Sequence, residues 1–138
     1  MKEQTKIVIT GKSNEYFKSC ASYLKEKGFD IKLTEKDGGE VLDILKTEGA
    51  DVIIIEPFLS GIDALGVLSY FQSDSSIRKP IVIIASSFSN DNLEEELLKS
   101  GADYYILKPF DFENLNNRII KLLERKDSKN QITVRKSE

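Results

Sequence analysis

A doubly wound parallel α/β sheet is the fold class this sequence predicts, and three observations carry the prediction. Short apolar runs bounded by turn residues alternate five times with amphipathic segments of helical period. Two of the runs, at 52–55 and 81–85, are apolar without interruption, as strands buried on both faces of a parallel sheet are. A length of 138 residues with 40% hydrophobic content supports one core and leaves little room for a second.

Taken in order, Lys6 to Thr10 reads as the first strand. Ser13 is placed to cap a helix that runs to about Lys27, where Gly28 stops it. Phe29 to Leu33 alternates as a partly exposed second strand. Asp37 and Glu40 form a capping box before a helix carrying Val41, Leu42 and Leu45, ended by Gly49. Val52 to Ile55 is the third strand, and Asp63 caps the next helix, with Leu65, Leu68 and Phe71 on one face. Pro80 opens the fourth strand, Ile81 to Ala85. Asp91 and Glu94 offer a second capping box, for a helix bearing Leu93, Leu97 and Leu98 that ends at Ser100-Gly101. Tyr104 to Leu107 is the fifth strand. Asp111 then caps a last helix with an apolar stripe of Leu115, Ile119, Leu122 and Leu123. Five strand-helix units favour the flavodoxin-like strand order 2-1-3-4-5, a three-layer sandwich. Residues 1–126 make the domain, and 127–138, polar and without a core face, read as a tail or the start of a linker.

Composition excludes several functions. Without histidine there is no Ser-His or Cys-His catalysis and no His-ligated metal. The single cysteine, Cys20, rules out an internal disulfide and, spaced with Phe17 and Leu24, reads as a small core residue. A net charge of −3 offers no broad basic field for nucleic acid. No apolar run is long enough for a membrane helix and no signal-peptide pattern precedes the first strand, so the expected location is cytoplasmic.

The stretch Asp51 to Leu65 holds the first site candidate. The third strand delivers Glu56 to its carboxyl end, where open α/β sheets bind ligands. Gly11-Lys12-Ser13 after the first strand suggests the end of a phosphate-binding loop, but position 6, where that loop needs glycine, is Lys6.

The order of elements, the phrase Asp51-Val-Ile-Ile-Ile-Glu-Pro-Phe-Leu-Ser-Gly-Ile-Asp63, and Lys108-Pro109-Phe110 before a helix resemble the receiver domain of bacterial two-component response regulators. The likeness spans Lys6 to about Lys126. Within the family it runs closest to the receivers of the stage-zero sporulation protein A, through Ser86-Ser87-Phe88 and the run from Gly101 to Leu115. The resemblance implies a phosphorelay context in which an aspartate after the third strand accepts a phosphoryl group from a histidine kinase. Magnesium is held there by that aspartate and an acidic pair after the first strand, and a Ser or Thr and a Lys engage the phosphoryl oxygens. Carried over, the phosphoacceptor position is Glu56, the acidic pair falls on Gly11 and Lys12, the hydroxyl on Ser86 and the lysine on Lys108, followed by Pro109. Tyr105 falls on the aromatic that reorients when receivers switch. The resemblance further implies a protein partner or self-association through the fourth helix, fifth strand and fifth helix.

The departures point away from phosphoryl chemistry. Glycine and a cation replace two carboxylates that magnesium needs, and Glu56 is one methylene longer than aspartate. A displacement of about 1 Å costs on the order of a hundredfold in rate, and phosphoryl transfer depends on positioning and on the metal. The expectation is therefore a degenerate receiver without enzymatic turnover or magnesium, acting in transcription regulation as a protein-interaction module, at the front of a sporulation-type regulator. Its pocket is expected to hold Glu56 between Lys12 and Lys108, with Ser86 within reach. Two competing readings stay open: an active phosphoacceptor, and a small-molecule binder on the same fold. The ordinary reading of each residue stands beside these, with Lys12 as a solvated lysine, Glu56 as a salt-bridge partner and Tyr105 as a packed edge aromatic.

Overall fold

Strands that are apolar on both sides need neighbours for their backbone groups and helices on both faces. In the computed structural model, which describes residues 4–137 and side chains as far as residue 127, five strands form one sheet in the order β2-β1-β3-β4-β5. They are β1 (Lys6–Thr10), β2 (Asp30–Thr34), β3 (Val52–Ile55), β4 (Ile81–Ser86) and β5 (Tyr104–Leu107), every pair parallel. The helices are α1 (Glu15–Glu26), α2 (Gly38–Thr47), α3 (Ala64–Ser73), α4 (Asp91–Lys99) and α5 (Phe112–Ser137). This is the flavodoxin-like α/β architecture expected from the sequence.

The two-residue period of the strands divides the interior into two cores. Val8, Ile53, Ile55, Val82 and Ile84 face Val41, Leu45, Leu68 and Leu97 of α2, α3 and α4. Ile7, Ile9, Ile54 and Ile83 face Phe17, Leu24, Leu115 and Ile119 of α1 and α5. The outer strand β2 buries one face and exposes Asp30 and Lys32, which is why its sequence alternates while that of β3 does not. Cys20 is fully buried in the second core, where burial pushes its thiol up to about 12; it is a packing residue.

Helix ends follow the sequence with three shifts. Asp37, Asp63 and Asp111 accept from the backbone N–H groups of the first turns of α2, α3 and α5. The cap of α1 is Asn14 rather than Ser13, because Asn14 N–H is tied to the Gly11 carbonyl in a turn that starts the helix one residue later. The cap of α4 is Asn90 rather than Asp91, which falls inside the first turn. The last helix does not end near Lys126: it continues to Ser137, since no glycine or proline interrupts 124–137 and loss of an apolar stripe does not by itself end a helix. Among the described residues no helix is long and apolar enough to cross a membrane.

Candidate functional site

From β1 the chain moves outward to β2, then crosses back to β3 on the other side, so the strand order reverses between β1 and β3. Loops diverge at such a point and leave a crevice at the carboxyl ends of the strands. Here it is a cleft of about 430 Å³ whose walls include Gly11, Lys36, Glu56, Phe58, Phe88 and Lys108.

Glu56, one residue past β3, is the floor of this cleft. Its Oε2 is 2.9 Å from Lys36 Nζ and 3.6 Å from Lys108 Nζ; the Glu56 and Lys108 side chains are 12% and 15% exposed, so that pair is screened from water far more than a surface pair, while Lys36 closes it from the half-exposed rim. The expected cation was Lys12. The structure instead turns Lys12 outward, exposed and outside any ion pair among the described residues, because Gly11 and Lys12 N–H groups both donate to the Thr34 carbonyl and fold that loop over the end of β2. Lys36 takes its place.

Backbone geometry delivers Lys36. Ser60 N–H donates to the Lys36 carbonyl at 2.9 Å and Gly38 N–H to the Ser60 carbonyl at 3.2 Å, zipping the β2-α2 loop to the β3-α3 loop through a parallel bridge at Asp37 and Ser60. The approach is close enough that Gly38 presses against the Ile62 carbonyl, where no side chain fits.

Lys108 is placed by register. β5 pairs with β4 up to Leu107 against Ser86, and Lys108 N–H then donates to the Ser86 carbonyl at 2.8 Å. Its ammonium lies 4.7 Å from the ring centroid of buried Phe17, adding a cation-π contact to the ion pair. The peptide bond from Lys108 to Pro109 is cis, and Pro109 itself is exposed. Beyond it, Tyr16 grips the loop, its hydroxyl accepting from Phe110 N–H at 2.7 Å and donating to the Phe110 carbonyl at 3.1 Å. Burial pushes the Tyr16 phenol up from its ordinary value, so it stays a neutral donor at physiological pH.

Ser86 does not bond Glu56. Fully buried at the end of β4, its Oγ accepts from Phe88 N–H at 2.9 Å and donates to the Phe88 carbonyl at 3.2 Å. Tyr105, half-buried on β5, donates from its hydroxyl to the same carbonyl at 3.0 Å. Two hydroxyls thus fix the backbone of Phe88, while the Phe88 ring stands 58% exposed and meets the 56% exposed Phe58 edge to face at 6.2 Å.

Gly11 is shaped against a side chain. Its φ is +107°, and a Cβ there would lie 2.7 Å from Phe17 Cδ2, in the ring that carries Lys108. Gly11→Asp should therefore lower stability by about 2 kcal/mol from backbone strain and overpacking together. Urea unfolding measures it, and a neutral result would show that the loop accommodates an acid after all.

The model of one family, the response regulator receiver domain, matches residues 7–120. The chain belongs to that family. Solved receivers agree in fold: the receiver domain of the Francisella response regulator 1452 is 27% identical with a TM-score of 0.78, covering 89% of this chain and 99% of its own. A two-component response regulator from Clostridium difficile is 24% identical with a TM-score of 0.79, covering 89% and 98%. A CheY-like receiver from Methanospirillum hungatei is 18% identical with a TM-score of 0.79, covering 92% and 99%. Receivers of this family serve two-component signalling as modules that act on partner proteins or effector domains.

The donor set of this receiver does not fit the magnesium that the family implies. Gly11 and Lys12 bring no carboxylate, and the Glu56 oxygen that a metal would take is shared by two ammonium groups. Among the described residues no three acidic or cysteine side chains converge as metal ligands. Sequence reasoning missed Lys36, Phe58 and Phe88. The signal for them was topological: each lies in a loop at the carboxyl end of a strand, the rim where side chains of this fold converge.

Proposed function

We propose that this receiver is a phosphorylation-independent interaction module. The observation that carries the reading is the Glu56 carboxylate held by Lys36 and Lys108 at the phosphoacceptor position. Lys36 supplies from within the chain the positive charge that a metal would supply, and it does so permanently. Glu56 in turn is a fixed negative charge rather than one added by a kinase. With Ser86 and Tyr105 both bonded to Phe88, the β4-α4 loop is held in one preset arrangement that needs no covalent mark. A partner then shifts the module only through unequal affinity for its conformations.

We assign the partner surface to α4, β5 and α5, where Leu98 and Leu107 are 41% and 44% exposed. The likeness of Gly101 to Leu115 to sporulation-type receivers supports a place at the front of a transcriptional regulator of that kind. Sedimentation at rising concentration tests the proposal. Lys99→Glu on α4 should weaken self-association, and acetyl phosphate with magnesium should leave it unchanged. Self-association that requires acetyl phosphate, or that Lys46→Glu on α2 weakens equally, contradicts the reading.

A further inference from the structure

We propose that the cleft above Glu56 binds a small planar aromatic acid, its ring against Phe58 and Phe88 and its carboxylate on Lys36. The inference rests on the reading that position 56 carries no phosphoryl group, and it names the chemistry that would occupy the site instead.

Three features point to that class. Phe58 and Phe88 are the two most exposed large apolar side chains described, they touch each other, and they stand on the β3-α3 and β4-α4 lips of the same cleft. Exposed apolar surface gathered in one place marks a binding site more often than scattered residues do. The backbone of the Phe88 lip is also preorganised: Phe88 N–H donates to Ser86 Oγ, and the Ser86 and Tyr105 hydroxyls donate to the Phe88 carbonyl, so little backbone entropy remains to be lost on binding. A volume of about 430 Å³ lies within the range of small-molecule sites, and the position is the topological switch point of the sheet.

Charge selects the acid. Lys36 and Lys108 share a single oxygen of Glu56, so that three-residue cluster carries one positive charge in excess, which Glu35 on the rim balances across the whole cleft. Lys36 is 51% exposed and can turn toward a ligand, whereas Lys108 is held beneath it by Phe17. Glu35, exposed on the rim of the same cleft, opposes dense negative charge and so favours a singly charged carboxylate over a phosphate ester. Aromatic rather than aliphatic character follows from the two rings, since ring-ring contacts add about 3- to 10-fold in affinity beyond area alone.

Amide NMR titration of the full chain with 2-naphthoate tests this, with 2-naphthalenemethanol as the uncharged ring and cyclohexanecarboxylate as the ringless acid. Saturable shifts at Phe58, Phe88 and Lys36 are expected for 2-naphthoate, with both controls binding several-fold more weakly. Phe58→Ala and Phe88→Ala, exposed positions that leave the fold intact, should each weaken 2-naphthoate about 3- to 10-fold. Lys36→Gln should weaken 2-naphthoate while leaving 2-naphthalenemethanol unchanged. Absence of saturable shifts up to the solubility of the probe, equal binding of cyclohexanecarboxylate, or alanine variants that bind as wild type would each overturn the proposal. A parallel sample with beryllofluoride and magnesium keeps the two readings apart. A response there contradicts the phosphorylation-independent reading, whereas its absence together with absent naphthoate binding defeats the ligand proposal alone.

Discussion

Gly38→Ala should lower stability by about 3 kcal/mol, an unusually large effect for adding one methyl group. The added Cβ would be driven into the Ile62 carbonyl oxygen, which is backbone and cannot swing aside as a side-chain tip could. Relief requires the β2-α2 and β3-α3 loops to part, breaking the hydrogen bond from Gly38 N–H to Ser60 and loosening the one from Ser60 N–H to Lys36. Lys36 would then leave Glu56, so the substitution reaches the ion cluster without touching it. Gly39→Ala is the control, because its new Cβ would meet only the Asp37 carboxylate, at 3.2 Å. Denaturant melts of both variants settle the point, and equal effects would show that the loop contact does not constrain the site.

Glu56→Gln should cost about 2 kcal/mol, since it leaves two ammonium groups facing a neutral amide and one of them, Lys108, is 15% exposed. The cost falls on Lys108, which loses its compensating charge while staying out of water. Lys36→Gln should cost less, as Lys36 is half exposed and Lys108 still pairs with Glu56. Lys12→Gln should change nothing measurable, because Lys12 lies outside the cluster. Glu56→Asp, shorter by a methylene, should fall between the two. A neutral or stabilising Glu56→Gln in urea melts at neutral pH would show that the carboxylate is not held as the distances indicate.

The fold was legible because buried parallel strands announce themselves as uninterrupted apolar runs. Val52 to Ile55 and Tyr104 to Leu107 fell at their structural limits, and strand order followed from the number of units. Helix starts were less legible where two good caps adjoin. Ser13 and Asn14 have near-equal propensity, and the choice rests on the Gly11 turn, which pattern alone does not reveal. Sequence position was enough to bring Glu56 and Lys108 together in the cleft. The site was misread where it depends on loop path: Lys12 is nearer in the family's register, but the hydrogen bonds to Thr34 and Ser60 turn Lys12 out and Lys36 in. A side chain as long as lysine crosses between loops, so its partner follows from the backbone trace rather than from its own position.

The pocket proposed here is neither charged by magnesium nor switched by a phosphoryl group, and one titration addresses both parts. Beryllofluoride with magnesium, which imitates the phosphoryl group in receivers, is added to the full chain while amide NMR signals of Ser86, Tyr105 and Lys108 are followed. These residues join the ion cluster to the Phe88 clamp, so their signals report a change at either. The predicted result is a spectrum that does not move beyond the effect of added salt. A saturable, magnesium-dependent shift at those three residues would instead show an active receiver.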